Sequence, residues 1–301
     1  MIPPFQNALV LTGPTGAGKS ALALALAERK HAEIISMDSM ALYRGMDIGT
    51  AKPDRAMRAR VPHHLIDVLD PWESASVAWW LERAAEACRD IQAQGRRALI
   101  VGGTPLYLKA LMFGLFPGPP GDPQVRGRLE EVAASAGAET LHRRLQDVDP
   151  ETAARLHPND VRRVVRALEV FELTGRPISA WQTQWQKSEE AGSPIYCVEL
   201  PREELYARID ARVLAMFDAG LLEEVKRLQQ LSKPMSRAAA QALGYKEVLE
   251  HLDGRASLAE TVERVQTRSR NFAKRQLTWF RHLPGCTRLG PAELAARLGG
   301  A

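Results

Sequence analysis

A chain of 301 residues, 45% hydrophobic and 25% charged, has ordinary globular composition and enough length to bury a full core. Disordered, collagen-like and fibrous proteins are excluded, and apolar runs such as Ala21–Ala27 and Ala98–Val101 fall far short of a membrane span. Met1–Pro4 lacks the basic-then-apolar pattern of a signal peptide, and the three scattered cysteines (Cys88, Cys197, Cys286) fit neither a disulfide framework nor metal-ligand spacing. A reduced cytoplasm and no membrane are therefore expected. The net charge of +4 says little about partners.

The first elements alternate. Asn7–Thr12 reads as a short buried strand, Lys19–Arg29 as an Ala/Leu-rich helix, and Glu33–Met37 as a second strand ending at Asp38. His64–Leu69 is a weaker third strand; Val77–Gln94 has helical patterning closed by Gly95; Ala98–Val101 is a strand ending at Gly102-Gly103. Such alternation predicts an α/β fold with a mostly parallel sheet and helices on both faces, its ligand site at the carboxyl ends of the strands.

Between the first strand and helix, Gly13-Pro14-Thr15-Gly16-Ala17-Gly18-Lys19-Ser20 fits G-x-x-x-x-G-K-[ST] in the context that the motif requires. Its glycines let successive N–H groups converge on phosphate oxygens, and the following helix adds its positive end. Lys19 supplies a point charge to the terminal phosphate, and Ser20 offers its hydroxyl to Mg²⁺, the expected cofactor. Such nucleotide-type (ATP-binding) loops serve kinases, ATPases, GTPases and pyrophosphate-releasing transferases alike. The chain has no guanine-selective N-K-x-D, and Gly102-Gly103 stands where an ATPase has its magnesium-binding Asp, which disfavours a mechanochemical NTPase. Asp38, after the second strand, faces the same ligand edge and suits a general base, or it caps the next segment.

At Phe116 the pattern changes. The stiff connector Pro117–Pro123 leads to helical segments near Gln124–Ala136, Glu139–Gln146, Glu151–Leu156 and Asp160–Thr174, the last closed by Gly175 and Pro177. Pro194–Leu200 then reads as a strand returning to the sheet. The expected organisation is an α/β core (1–115), a helical insertion (116–193), and a return to the core with C-terminal helices (194–301). From Arg264 to Arg288 seven basic residues run without an Asp or Glu, which is either a phosphate-backbone contact surface or a solvated helix face. His63 and His64 are expected to be structural, Trp79-Trp80 to pack in a core, and Cys197 to be buried and inert.

The run Asp38–Pro53 (DSMALYRGMDIGTAKP) resembles the tRNA dimethylallyltransferase (tRNA isopentenyltransferase) family. So do Pro62–Asp67, Gly102–Tyr107, His157–Asp160, Arg166–Val170, Gly244–Lys246 and Lys274–Arg281, so that the resemblance spans nearly the whole chain. It implies a P-loop NTPase-like fold and transfer of a dimethylallyl group from its pyrophosphate to N6 of adenine 37, beside the anticodon. The implied partners are the tRNA anticodon stem-loop and dimethylallyl pyrophosphate, and a monomer is expected. Carried over residue by residue, Asp38 is the general base, Thr104 lies beside the reacting groups, and Arg212 binds the pyrophosphate. The tRNA-contacting positions are Asp38, Ser39, Met40 and Ala41, then Thr104 and Arg126, then Arg162, Arg163, Val164, Val165 and Arg166. They continue with Gln241, Ala242, Leu243, Gly244, Tyr245 and Lys246, and with Lys274, Arg275, Gln276, Leu277, Thr278, Trp279, Phe280 and Arg281. The insertion corresponds to a domain that grips the anticodon arm. Ala41 replaces a frequent Gln and Pro105 a frequent Gly; no C-terminal Cys/His pattern offers a zinc finger, which favours the compact bacterial form. A small-molecule P-loop kinase and a non-catalytic RNA-binding P-loop protein are the alternatives.

Overall fold

The computed structural model describes residues 1–181 and 194–299. They divide into two compact units, one of residues 1–112 with 194–299 and the other of 113–181. The end of the expected insertion (182–193) and the last two residues lie outside the described residues.

The first unit opens with β1 (Leu9–Thr12), α1 (Lys19–Lys30), β2 (Ala32–Ser36), α2 (Arg55–Arg60), β3 (His63–His64), α3 (Val77–Ala93), β4 (Arg97–Val101) and α4 (Pro105–Phe113). All-parallel pairing gives one six-stranded sheet in the order β3-β2-β4-β1-β5-β6, completed by β5 (Ile195–Val198) and β6 (Cys286–Leu289). Every residue of β2 is buried, as a parallel strand covered on both faces must be. Leu11, Leu24, Leu26, Ile34 and Leu99 join Leu205, Ile209 and Leu294 in one apolar cluster. The C-terminal ends of β1, β2 and β4 therefore lie side by side, which brings the loops after Thr12, Ser36 and Val101 to one edge.

Past β5 come α9 (Arg202–Asp218), α10 (Leu221–Gln229), α11 (Arg237–Ala240), α12 (Tyr245–Leu252) and α13 (Leu258–Arg281), with α14 (Pro291–Gly299) after β6. A capping box between Ser257 and Glu260 starts α13. Its buried face (Val265, Ser269, Ala273, Gln276, Phe280) packs it down, and Arg270 pairs with Asp210 of α9.

The second unit is helical: α5 (Pro123–Ala136), α6 (Ala138–Val148), α7 (Pro150–Arg155) and α8 (Val161–Thr174). Asp122 caps α5 through the N–H groups of Gln124 and Val125, Pro123 sits at its first turn, and Gly175 ends α8 in the left-handed conformation. Leu129, Leu141, Leu145, Val164, Val165 and Leu168 form its own core.

One expectation is corrected. The weak strand His64–Leu69 shrinks to His63–His64 plus an isolated bridge from Tyr43 to Leu69, because Leu65 and Asp67 take positive φ (61° and 56°) and leave the strand. The chain from Arg202 onward is largely helical as expected, with the short edge strand Cys286–Leu289 (β6) added. Of the two tryptophans expected in a core, Trp80 is fully buried, stacked on Tyr107 with ring centroids 4.4 Å apart, whereas Trp79 is half-buried; Cys197 is a buried free thiol in β5.

Candidate active site

The phosphate loop joins β1 to α1. Gly16 (φ 80°) and Gly18 (φ 85°) take the left-handed backbone that winds the loop around its amides, and Gly18 is the N-cap of α1, so Lys19 and Ser20 open the helix. Lys19 Nζ donates to the Pro14 carbonyl at 2.7 Å. Burial, helped by the neighbouring Arg212 guanidinium and opposed by Asp38, lowers the Lys19 pKa to about 8. Arg212, on α9, approaches Thr15 Oγ1 at 3.5 Å, and its own pKa is pulled down by burial and sustained by Asp38. Lys19, Arg212 and Asp38 thus lie close enough to interact electrostatically.

Asp38 follows β2. Its Oδ1 accepts from the N–H groups of Met40 (2.8 Å) and Ala41 (3.4 Å), which orients the carboxylate; Oδ2 is bonded to no other described residue. Across from it, Thr104 Oγ1 accepts from the Ser39 N–H at 3.3 Å, and Thr104 N–H reaches the Met37 carbonyl at 3.4 Å. This contact explains Gly102-Gly103: a Cβ on Gly102 would overlap the Met37 carbonyl, and one on Gly103 would meet the Gly13 carbonyl and Gln276. The end of β4 has no room for the magnesium-binding Asp of an ATPase.

Gln276 reaches this edge from α13. Only 3% exposed, its Oε1 accepts from the Thr15 N–H at 2.9 Å and its Nε2 donates to the Gly103 carbonyl at 2.7 Å. Its side chain faces the phosphate loop and is not available to an RNA.

The other positions assigned to RNA divide by burial. Arg162 and Arg163 on α8, Gln241 beyond α11, and Lys274, Arg275, Thr278 and Arg281 on α13 are exposed. Ser39, Met40, Leu243, Lys246, Leu277 and Trp279 are half-buried. The side chains of Ala41, Val164, Val165, Ala242, Tyr245 and Phe280 are buried in packing, and Gly244 lies buried at the N-cap of α12. Their segments can still meet RNA, but through their exposed neighbours. Tyr245 packs its ring against Gly49 and donates its hydroxyl to Glu224 Oε1 at 2.6 Å. Glu224, itself buried, also accepts the N–H groups of Asp47, Ile48 and Gly49. Lys52 bonds the Tyr43 carbonyl, Asp47 and Asp67. The run after Asp38 is thus a locked loop; these anchors were not apparent from the sequence, since Glu224 and Tyr245 lie far along the chain. His63 and His64 are structural as expected, bonded to the Val61 carbonyl and to Glu33. In the helical unit Arg126 and Arg166 both engage Glu169, which is fully buried.

A cavity of about 540 Å³ lies at the ends of β5 and β6, lined by Arg202, Tyr206, Lys274, Arg281, Arg288 and Glu293 among others. For Mg²⁺, no group of three or more His, Cys, Asp or Glu converges among the described residues. A cation held by diphosphate oxygens and water, with Ser20 at the helix start as a protein donor, needs no such group, so the residues present fit one.

A parallel sheet with a glycine-rich loop between its first strand and helix, and a lysine, an arginine and a carboxylate at the same edge, has the layout of a P-loop NTPase-like fold. Comparison with known proteins narrows the class. A sequence model of the IPP transferase family matches residues 41–283, and the chain belongs to that family. It is 49% identical over 277 residues to the tRNA dimethylallyltransferase of Geobacter metallireducens, covering 91% of this chain and 89% of that protein. It is 48% identical to that of Halorhodospira halophila (91% and 89%). Among solved structures, the full-length tRNA isopentenylpyrophosphate transferase of Bacillus halodurans superposes with a TM-score of 0.71 at 38% identity, over 98% of this chain and 95% of that one. A eukaryotic dimethylallyltransferase acting on tRNA gives 0.76 at 28% identity, over 96% and 74%.

Proposed function

We propose that this enzyme transfers a dimethylallyl group from dimethylallyl pyrophosphate to N6 of adenine 37 in tRNA, releasing pyrophosphate. The observation that carries the reading is the electrostatic cluster of Lys19, Arg212 and Asp38: two cations for a departing pyrophosphate beside a carboxylate with one free oxygen.

The adenine N6 lone pair is delocalised into the ring, so the amine is a weak nucleophile. Asp38 Oδ2 takes its proton as the C–N bond forms, while Oδ1 stays fixed by the Met40 and Ala41 amides. The bond to pyrophosphate breaks at an allylic carbon that tolerates positive charge, and the negative charge on the leaving group grows toward the loop amides, Lys19 and Arg212. Mg²⁺, held through Ser20 and diphosphate oxygens, would add Lewis-acid stabilisation of that charge. Thr104 ties its loop to Ser39, keeping the base and the β4 end in register. The adenine must leave its stack, at a cost of a few kcal/mol that phosphate contacts offset. Those contacts fall to the exposed cations of α13 and α8.

The test is incorporation. Purified protein with Mg²⁺ and unmodified tRNA should move label from dimethylallyl pyrophosphate into the RNA at position 37. Phosphate transfer from ATP to a small acceptor, with no prenyl incorporation, would establish the kinase alternative instead.

A further inference from the structure

We infer that Gln276 is a positioning residue for the pyrophosphate loop: its carboxamide sets the Pro14–Thr15 peptide that anchors Lys19 and joins that peptide to the loop bearing Thr104. This rests on the donor reading of the loop, and it takes Gln276 out of the RNA-contacting set.

One peptide unit carries the argument. Between Pro14 and Thr15, the N–H points to Gln276 Oε1 at 2.9 Å, and the C=O accepts Lys19 Nζ at 2.7 Å. A trans peptide directs its N–H and C=O to opposite sides, so fixing one fixes the other. The proline ring locks φ before this peptide, which leaves rotation about Pro14 ψ and Thr15 φ as the motion that could turn it. Such a flip would remove the carbonyl from beneath the Lys19 ammonium, the cation a pyrophosphate must meet. Gln276 opposes it with a buried hydrogen bond.

The other end of the carboxamide makes the second link. Nε2 donates to the Gly103 carbonyl, the next residue is Thr104, and Thr104 Oγ1 holds the Ser39 N–H next to Asp38. A single side chain therefore spans from the donor loop to the loop that borders the base. Only a group with a donor and an acceptor at that spacing serves both carbonyl and N–H. Asparagine is one methylene short, and methionine has no N–H to donate. Gln276 sits on the packed face of α13 between Ala273 and Phe280, whereas Lys274, Arg275 and Thr278 project to solvent from the same turns.

The experiment compares Q276M and Q276E with the wild type, using inorganic pyrophosphate and dimethylallyl pyrophosphate as titrants with Mg²⁺ and, separately, unmodified tRNA. Q276M should weaken both diphosphates about tenfold, on the order of 1.4 kcal/mol, and leave tRNA affinity within about twofold. Q276E keeps the acceptor for Thr15 but, when ionised, has no donor for Gly103. When protonated it carries one of each, so its deficit relative to the wild type at the same pH should shrink as pH falls. A purely structural residue would not show that recovery. If Q276M bound diphosphates normally, or lost tRNA affinity while keeping them, the inference would be overturned. If Q276M did not fold, a Q276E deficit that stayed constant with pH would overturn it equally. Wild-type protein with no affinity for pyrophosphate would instead remove the donor reading itself, and the inference with it.

Discussion

The donor edge and the helical unit handle charge in opposite ways. In the helical unit the buried carboxylate of Glu169 is met inside the protein, by Arg126 at 2.8 Å, Arg166 at 2.5 Å and the Asp122 N–H at 2.7 Å. At the edge of the phosphate loop Lys19 and Arg212 are partly drawn out of water, with no carboxylate bonded to either among the described residues; Lys19 rests on a backbone carbonyl and Arg212 near a hydroxyl. Where the partner charge is permanent, the fold supplies both members of the pair. In the proposed function the partner charge at Lys19 and Arg212 arrives with the ligand, which accords with cations that lack a bonded carboxylate and whose pKa values are lowered by burial.

The comparison breaks most sharply at Asp38, the carboxylate that interacts with both Lys19 and Arg212. Asp38→Asn keeps an acceptor for the Met40 and Ala41 amides but loses the proton acceptor, so turnover should fall by about 10²–10⁴. tRNA affinity should stay nearly unchanged in a filter-binding assay. Normal turnover would remove Asp38 as the base. Next in size is the opposite charge logic. Glu169→Gln leaves Arg126 and Arg166 without their shared anion, and because both are partly exposed the cost should be about 1–3 kcal/mol, read from urea denaturation. Burial alone would raise the Glu169 pKa, but Arg166, Arg126 and the Asp122 amide hold it below the ordinary 4.5. The stabilisation this carboxylate gives is therefore fully present above that value and is lost only as pH falls through the depressed pKa, a loss the Gln variant should not show.

Lys19 supplies a third measure. Free protein should lose its ammonium as pH rises through about 8, so pyrophosphate affinity should weaken toward about tenfold per pH unit above that point. Lys19→Arg stays charged and should flatten the same limb, even if its affinity is lower at neutral pH. A wild-type profile without a limb near pH 8 would mean that the loop lysine is not desolvated before the ligand arrives.

Much of this was legible in the chain. The loop Gly13–Ser20 stood between a strand and a helix, Asp38 followed the next strand, and the capped helices after Asp122 announced themselves by Pro and Gly punctuation. What was not legible depended on distant partners or on strands with little apolar signal. β6 is an edge strand of sequence Cys-Thr-Arg-Leu with no fully buried residue, so neither alternation nor an apolar run marked it. Gln276 was read with its basic neighbours as an RNA contact, although its spacing from Ala273 and Phe280 put it on the packed face of a helix. Its partner, Thr15, lies 261 residues away, beyond the reach of any local pattern. Glu224, which secures the Asp47–Gly49 amides from 175 to 177 residues downstream, was hidden for the same reason.

The smallest effect separates cations that hold the protein together from cations kept for a partner. On α8, Arg166 is committed to Glu169 and to the Pro119 carbonyl, whereas Arg162 is exposed with no bonded partner among the described residues. On α13, Lys274 and Arg281 are likewise exposed and paired with no carboxylate among the described residues, and both line the cavity at the β5–β6 edge with Arg202, Arg288 and Glu293. Exposed side chains of this kind cost little to replace in the folded protein, so their loss should appear in RNA binding and not in stability. Arg162→Ala and Lys274→Ala should each lower tRNA affinity only a few-fold at moderate salt. Each should also reduce the slope of log affinity against log salt by about 0.7–0.9, the share of one phosphate contact. Arg166→Ala should behave differently, lowering the denaturation midpoint because the buried Glu169 loses one of its two arginine partners. An unchanged salt slope in the first two variants would place the RNA on another face of these helices and leave α13 as the support of the donor loop alone.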